Sequence, residues 1–124
     1  MRVLICGGRD FTDWKLFCKV MNKIDPCTHK QLLGNPDLVI IHGGAKGADR
    51  FADQWAVVHW KQFEEYPANW KKYGKAAGVI RNQQMIDEGK PDLVVAFPGG
   101  RGTANMIKLA KKAGIEVREI KYEV

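Results

Sequence analysis

One pattern, repeated three times, does most to limit what this chain can fold into: an unbroken apolar run that ends directly in a glycine turn. The runs are RVLIC (2–6), DLVIIH (37–42) and DLVVAF (92–97). The turns that follow begin Gly7-Gly8-Arg9-Asp10, Gly43-Gly44-Ala45-Lys46-Gly47-Ala48-Asp49 and, after Pro98, Gly99-Gly100-Arg101-Gly102-Thr103. Runs rich in Val, Ile and Leu with no polar alternation suit parallel strands covered on both faces.

Parallel neighbours need crossovers, and the intervening segments have helical spacing. Phe11, Trp14, Phe17, Cys18, Met21 and Ile24 fall on one side of a first helix, which Asp10 or Thr12 is placed to cap. Ala48, Phe51, Ala52, Trp55 and Ala56 form the stripe of a second. A third helix is expected from about Ala76 to Glu88, stopped by Gly89 and Pro91. A fourth runs from near Thr103 to Gly114, after which IEVREI (115–120) reads as a last strand. A short strand is expected around Lys61 to Glu65, then EYPANWKKYG as a loop, and residues 25–36 read as a turn-rich connection. The alternation predicts a Rossmann-like three-layer α/β sandwich: an open, mostly parallel sheet of about five strands with helices on both faces. At 124 residues the chain is expected to form one domain spanning 1–124.

Composition bounds the partners. No apolar run approaches the length needed to cross a bilayer, and Gly7 cuts the N-terminal run too short for a signal peptide, so no membrane partner is expected. Cys6, Cys18 and Cys27 are odd in number and form no C-x-x-C pair, which argues against a disulfide framework or a metal site and for a reducing cytoplasm. Lys and Arg outnumber Asp and Glu by 20 to 14, a net charge of +6 that favours an anionic partner.

In open parallel sheets ligands bind outside the carboxyl ends of the strands, where the strand order reverses. All three glycine turns fall at such ends. Their backbones can bring N–H groups close to a ligand, and the helix N-terminus that follows adds partial positive charge, so phosphate is the natural guest. The candidate contacts are Gly7, Gly8, Arg9 and Asp10 from the first turn and Gly43, Gly44, Ala45, Lys46, Gly47 and Asp49 from the second. Pro98, Gly99, Gly100, Arg101, Gly102 and Thr103 form the third set, and Lys75, Arg81 and Asn82 in YGKAAGVIRNQQM join them. Familiar fingerprints fail: the third turn lacks the last glycine of G-x-G-x-x-G, and no Gly-Lys-Ser/Thr marks a Walker loop.

In combination, GGRDF, HGGAKGADRFADQWA and YGKAAGVIRNQQMIDEGKPDLVVAFPGGRGTANM resemble the SLOG superfamily, from Arg2 to about Ile120. That superfamily includes the lonely-guy phosphoribohydrolases and the DNA-processing A proteins, and the match is closest to its YspA-like, YpsA-related branch of bacteria and phages. The resemblance implies a Rossmann-like fold that takes nucleotides or molecules derived from them, in a bacterial or phage-infected cytosol, with a homodimer as the expected assembly. Pro98, Gly99, Gly100, Gly102 and Thr103 match the lonely-guy P-G-G-x-G-T-x-x-E, and Arg81 and Met85 match its upstream R-x-x-x-M. In those enzymes the arginine and the final glutamate are the catalytic pair. Here the glutamate position holds Met106, whose thioether neither stabilises an oxocarbenium-like centre nor handles a proton. A replacement carboxylate would have to be Asp10 or Asp49, which read equally well as helix caps or first-turn acids.

His42 reads as a hydrogen-bonded strand end or as an acid–base group, Cys6 as a small core residue, and His29 and His59 have no company suggesting chemistry. In the aromatic-rich middle, Trp55 reads as core, whereas Trp70 and Tyr73 are the candidate base contacts; Trp60, Phe63 and Tyr66, interleaved with lysines, suit core, a subunit interface or a nucleic-acid groove. Three functions follow in order. The first is a sensor, carrier or sequestering protein for a phosphorylated ligand such as AMP, ADP-ribose, an NAD-like molecule or a cyclic nucleotide, with no required cofactor. The second is a nucleotide hydrolase with Arg81 and a non-standard carboxylate. Nucleic-acid binding ranks last.

Overall fold

The computed structural model describes residues 1–25, 37–59 and 61–122; the expected connection over 26–36, with Cys27 and His29, and also Trp60 lie outside them. The strands are β1 (Arg2–Cys6), β2 (Val39–His42), β3 (Gln62–Glu65), β4 (Leu93–Ala96) and β5 (Glu116–Glu119). The helices are α1 (Trp14–Ile24), α2 (Ala48–Val58), the short α3 (Trp70–Tyr73), α4 (Ala77–Asp87) and α5 (Arg101–Lys112), with a 3₁₀ turn over Gly74–Ala76 between α3 and α4. All pairings are parallel, in the order β3-β2-β1-β4-β5, which is the Rossmann-like sandwich the sequence predicts.

The absence of alternation in the central strands has its physical cause here. Val3 and Ile5 of β1 pack under α1 and α2 with Phe17, Met21 and Trp55, while Leu4 and Cys6 pack under α4 and α5 with Met85, Met106 and Ala110. Both faces are dry, so apart from Arg2 and His42 at the strand ends every position of β1, β2 and β4 is apolar. The edge strands β3 (QFEE) and β5 (EVRE) are largely exposed and carry the charges that keep sheet edges from pairing with other chains. A buried ion pair, Lys61 Nζ to Asp25 Oδ2 at 2.8 Å, ties the approach to β3 to the end of α1.

Two local expectations are corrected. Neither Asp10 nor Thr12 caps α1; Asp13 does, its Oδ1 accepting from the Leu16 N–H at 3.0 Å. Phe11 therefore precedes the helix, but it is buried against Phe97 with ring centroids 5.0 Å apart, and that anchorage delays the helix start. EYPANWKKYG is not all loop: Asn69 caps α3 by accepting from the Lys72 N–H at 3.1 Å, and Gly74 ends it at φ 56°.

Candidate functional site

β1 and β4 are neighbours, and the chain leaves them toward opposite faces, so a crevice opens above their carboxyl ends. Its volume is about 1350 Å³, and every candidate phosphate-site residue named from the sequence lines it except Gly47. Gly47 lies just behind the lining: it has φ 81°, and a Cβ there would strike the Gly8 carbonyl oxygen, so its backbone is what lets the first and second turns cross. The first and third turns are stitched by Gly8 N–H donating to Pro98 O at 2.9 Å and Phe97 N–H donating to Cys6 O at 2.9 Å. Gly99 sits where a side chain would meet both the Gly8 backbone nitrogen and the Thr103 hydroxyl.

The turns are not equivalent. In the second, the buried Asp49 carboxylate turns back and accepts from the Gly43 N–H at 3.1 Å and the Ala45 N–H at 3.3 Å. Burial pushes the Asp49 pKa up, opposed by the Ala45 N–H, by Arg81, by His42 and by the Gly43 N–H. The α2 end of the crevice thus carries a protein anion already. At α5, the first turn contains no acidic residue and Gly100 provides no capping side chain, so its leading N–H groups have no intrahelical acceptor. Positive potential is concentrated there.

Arg81, on α4, reaches across the crevice. Its Nη1 donates to Gly43 O at 2.7 Å and its Nε to Asn82 Oδ1 at 3.1 Å, leaving further N–H groups of the guanidinium fork for a ligand. Burial lowers its pKa, Asp49 raises it, and Arg9 lowers it again, so Arg9 and Arg81 share one electrostatic neighbourhood. Asn82 is buried and donates from Nδ2 to Gly102 O at 3.1 Å and to Asn105 Oδ1 at 3.0 Å. One side chain therefore couples the Arg81 guanidinium to the start of α5. Arg9, Lys46, Lys75 and Arg101 are exposed on the same lining, giving five cations against two carboxylates, Asp10 and Asp49.

Other candidates separate cleanly. Met106, at the lonely-guy glutamate position, is 0% exposed in the core beneath α5 and does not line the crevice. Cys6 is buried, and burial drives its thiol pKa well above the usual value, as befits a core residue. His42 is buried at the end of β2, where its Nδ1 accepts from the Gly44 N–H at 3.0 Å; it braces the second turn and is absent from the lining. Trp55 is core. Trp70 lines the crevice, but Tyr73 does not: one turn onward, its ring faces the Lys72 ammonium, 5.1 Å from the centroid. Sequence reading missed Asn105 and Tyr122, both on the lining. A second depression, along α1 between Trp14 and Lys23, has no glycine turn among its described lining residues.

Fold and crevice together define a Rossmann-like α/β protein whose switch point is ringed by glycine turns and cations. More particularly, the chain belongs to the YspA, cpYpsA-related SLOG family, whose model matches residues 1–73. The Gene 61 protein of Mycobacterium phage D29 is 40% identical over 126 residues, covering 94% of this chain and 93% of that relative.

Proposed function

We propose that the crevice binds a nucleotide or nucleotide-derived small molecule, with a phosphate at the N-terminus of α5, and that the protein acts as a sensor, carrier or sequestering protein for it. The observation that carries this reading is the contrast between the two helix starts: α2 has Asp49 in its first turn, whereas α5 has no carboxylate there and faces a lining rich in arginine. The Asp49 carboxylate already occupies the second turn, accepting from Gly43 and Ala45, whereas the α5 N-terminus has no such acceptor from its first turn and suits an external anion. Membership of a SLOG family supports a nucleotide-related ligand.

Hydrolysis is the weaker reading. The position expected to supply the catalytic glutamate is buried Met106, and of the two carboxylates on the lining Asp49 is engaged with backbone N–H groups. Thermal-shift measurements against AMP, ADP-ribose, NAD and cyclic dinucleotides test the proposal. A rise in melting temperature with at least one of them, abolished in Arg81→Ala, is expected; no stabilisation by any phosphate compound would sink it. Free base released from a nucleoside monophosphate by the purified protein would restore the hydrolase.

A further inference from the structure

The crevice is roomier than a single small ligand needs. Its volume of about 1350 Å³ exceeds the roughly 300–1,000 Å³ that encloses a drug-sized ligand. It also runs over both faces of the sheet. At one end stands Trp70 of α3, 52% exposed and seated over Gly78 of α4. At the other stands Tyr122, 53% exposed, which follows β5 and rests on Phe11 with ring centroids 5.9 Å apart. Phe11 belongs to the core under α1 and α2, whereas α4 covers the opposite face, so the two exposed rings flank the switch point from opposite sides. Between them lie the α5 N-terminus and the arginines Arg9, Arg81 and Arg101.

The geometry points to a two-ended ligand: two ring-bearing groups joined through a central diphosphate, one ring stacked on Trp70 and the other on Tyr122. This deepens the nucleotide reading above and rests on it. Exposed aromatic rings make sequence-tolerant platforms for bases, since every base presents a π-face. At the Trp70 end the indole packs directly on α4: a Cβ at Gly78 would lie 3.5 Å from Trp70 Cη2, at ordinary van der Waals contact. A diphosphate offers oxygens to the α5 N–H groups and to the arginine forks at once, which a single phosphate does only in part.

The test is calorimetric titration of the full chain with two probes, ADP and the symmetric diadenosine diphosphate, which share a diphosphate and differ in the second base. The dinucleotide is expected to bind about tenfold tighter than ADP. Trp70→Ala and Tyr122→Ala should each weaken it about tenfold, Tyr122→Phe should restore it, and only one of the two alanine variants should weaken ADP. Both rings are exposed, so unchanged melting temperatures verify that the variants are folded. If ADP binds and the dinucleotide binds no tighter, or if either alanine variant leaves the dinucleotide affinity unchanged, the two-ended ligand is refuted while the nucleotide reading stands. If neither probe binds at millimolar concentration, the two-ended diphosphate ligand is refuted, and the nucleotide reading stands or falls with the thermal-shift series above.

Discussion

Adding a single methyl group at Gly43 should disarm the crevice without unfolding the protein. Gly43 does not have a positive φ, so alanine is conformationally acceptable there, but its Cβ would land on the guanidinium of Arg81. That group is the far end of a flexible side chain, and it will swing away rather than force the backbone apart. The move breaks the 2.7 Å bond from Arg81 Nη1 to Gly43 O. A hydrogen bond involving a charged group contributes about 1.5–3 kcal/mol, and Arg81 is partly exposed, so the stability loss in Gly43→Ala should stay below about 2 kcal/mol. If the displaced guanidinium also loses its bond to a ligand phosphate, ADP affinity should fall roughly ten- to a hundredfold. Gly47→Ala is the contrast. Its φ of 81° is costly for any side chain, and its Cβ would meet the Gly8 carbonyl, which cannot yield without separating the turns. Strain of this kind costs about 1–3 kcal/mol before any clash is counted. Urea unfolding and ADP calorimetry on both variants read the two effects separately. Wild-type affinity within twofold in Gly43→Ala, or wild-type stability in Gly47→Ala, would refute the packing argument.

Three further outcomes follow from the hydrogen bonds and charges. Asn82→Ala removes the two bonds that this buried side chain makes to the Gly102 carbonyl and the Asn105 side chain, at about 0.5–1.5 kcal/mol each, and should lower stability in chemical denaturation while weakening ADP binding in the same sample. Burial holds the Asp49 pKa above its ordinary 3.8, so the native state keeps that proton to higher pH than the unfolded chain. Stability from this group therefore falls as pH rises from 3.8 through the raised value, and Asp49→Asn, which retains an acceptor for the Gly43 and Ala45 N–H groups, should gain on wild type across that window. A pH-independent difference in unfolding free energy between the two would contradict it. Lys61→Met takes the ammonium from beside the buried Asp25 carboxylate and should destabilise by about 3–5 kcal/mol, whereas the double variant with Asp25→Asn should recover much of that loss in a double-mutant cycle.

The sheet was legible because its central strands are buried on both sides, and a run such as DLVVAF is short, β-branched and closed by Pro and Gly, which favours a strand over a buried helix. The three turns were legible because a glycine cluster after a parallel strand places itself at the carboxyl rim. What escaped was decided by tertiary contact. In DFTDW three residues suit an N-cap equally well by type, and it is the burial of Phe11 against Phe97 that selects Asp13. The four residues of α3 are too few to show a helical period, although Asn69 before it and Gly74 after it are a start and a stop signal. Trp70 and Tyr73 looked alike in sequence, yet a helix this short turns one ring into the crevice and the other toward Lys72. Tyr122 joins the site only because the chain beyond β5 returns over Phe11, a contact with no local signature. Asn105 had a faint one, an amide two positions after Thr103 on the helix that the third glycine turn begins.

An NMR titration of ¹⁵N-labelled protein with ADP is the most direct test of the anion site at the switch point. Saturable shifts concentrated in the amides of Gly99 to Thr103 and Gly7 to Asp10, with Arg81 Nε–H moving in step and the α1 depression from Trp14 to Lys23 silent, are predicted. Shifts centred on α1, or a spectrum unmoved by millimolar ADP, would contradict it.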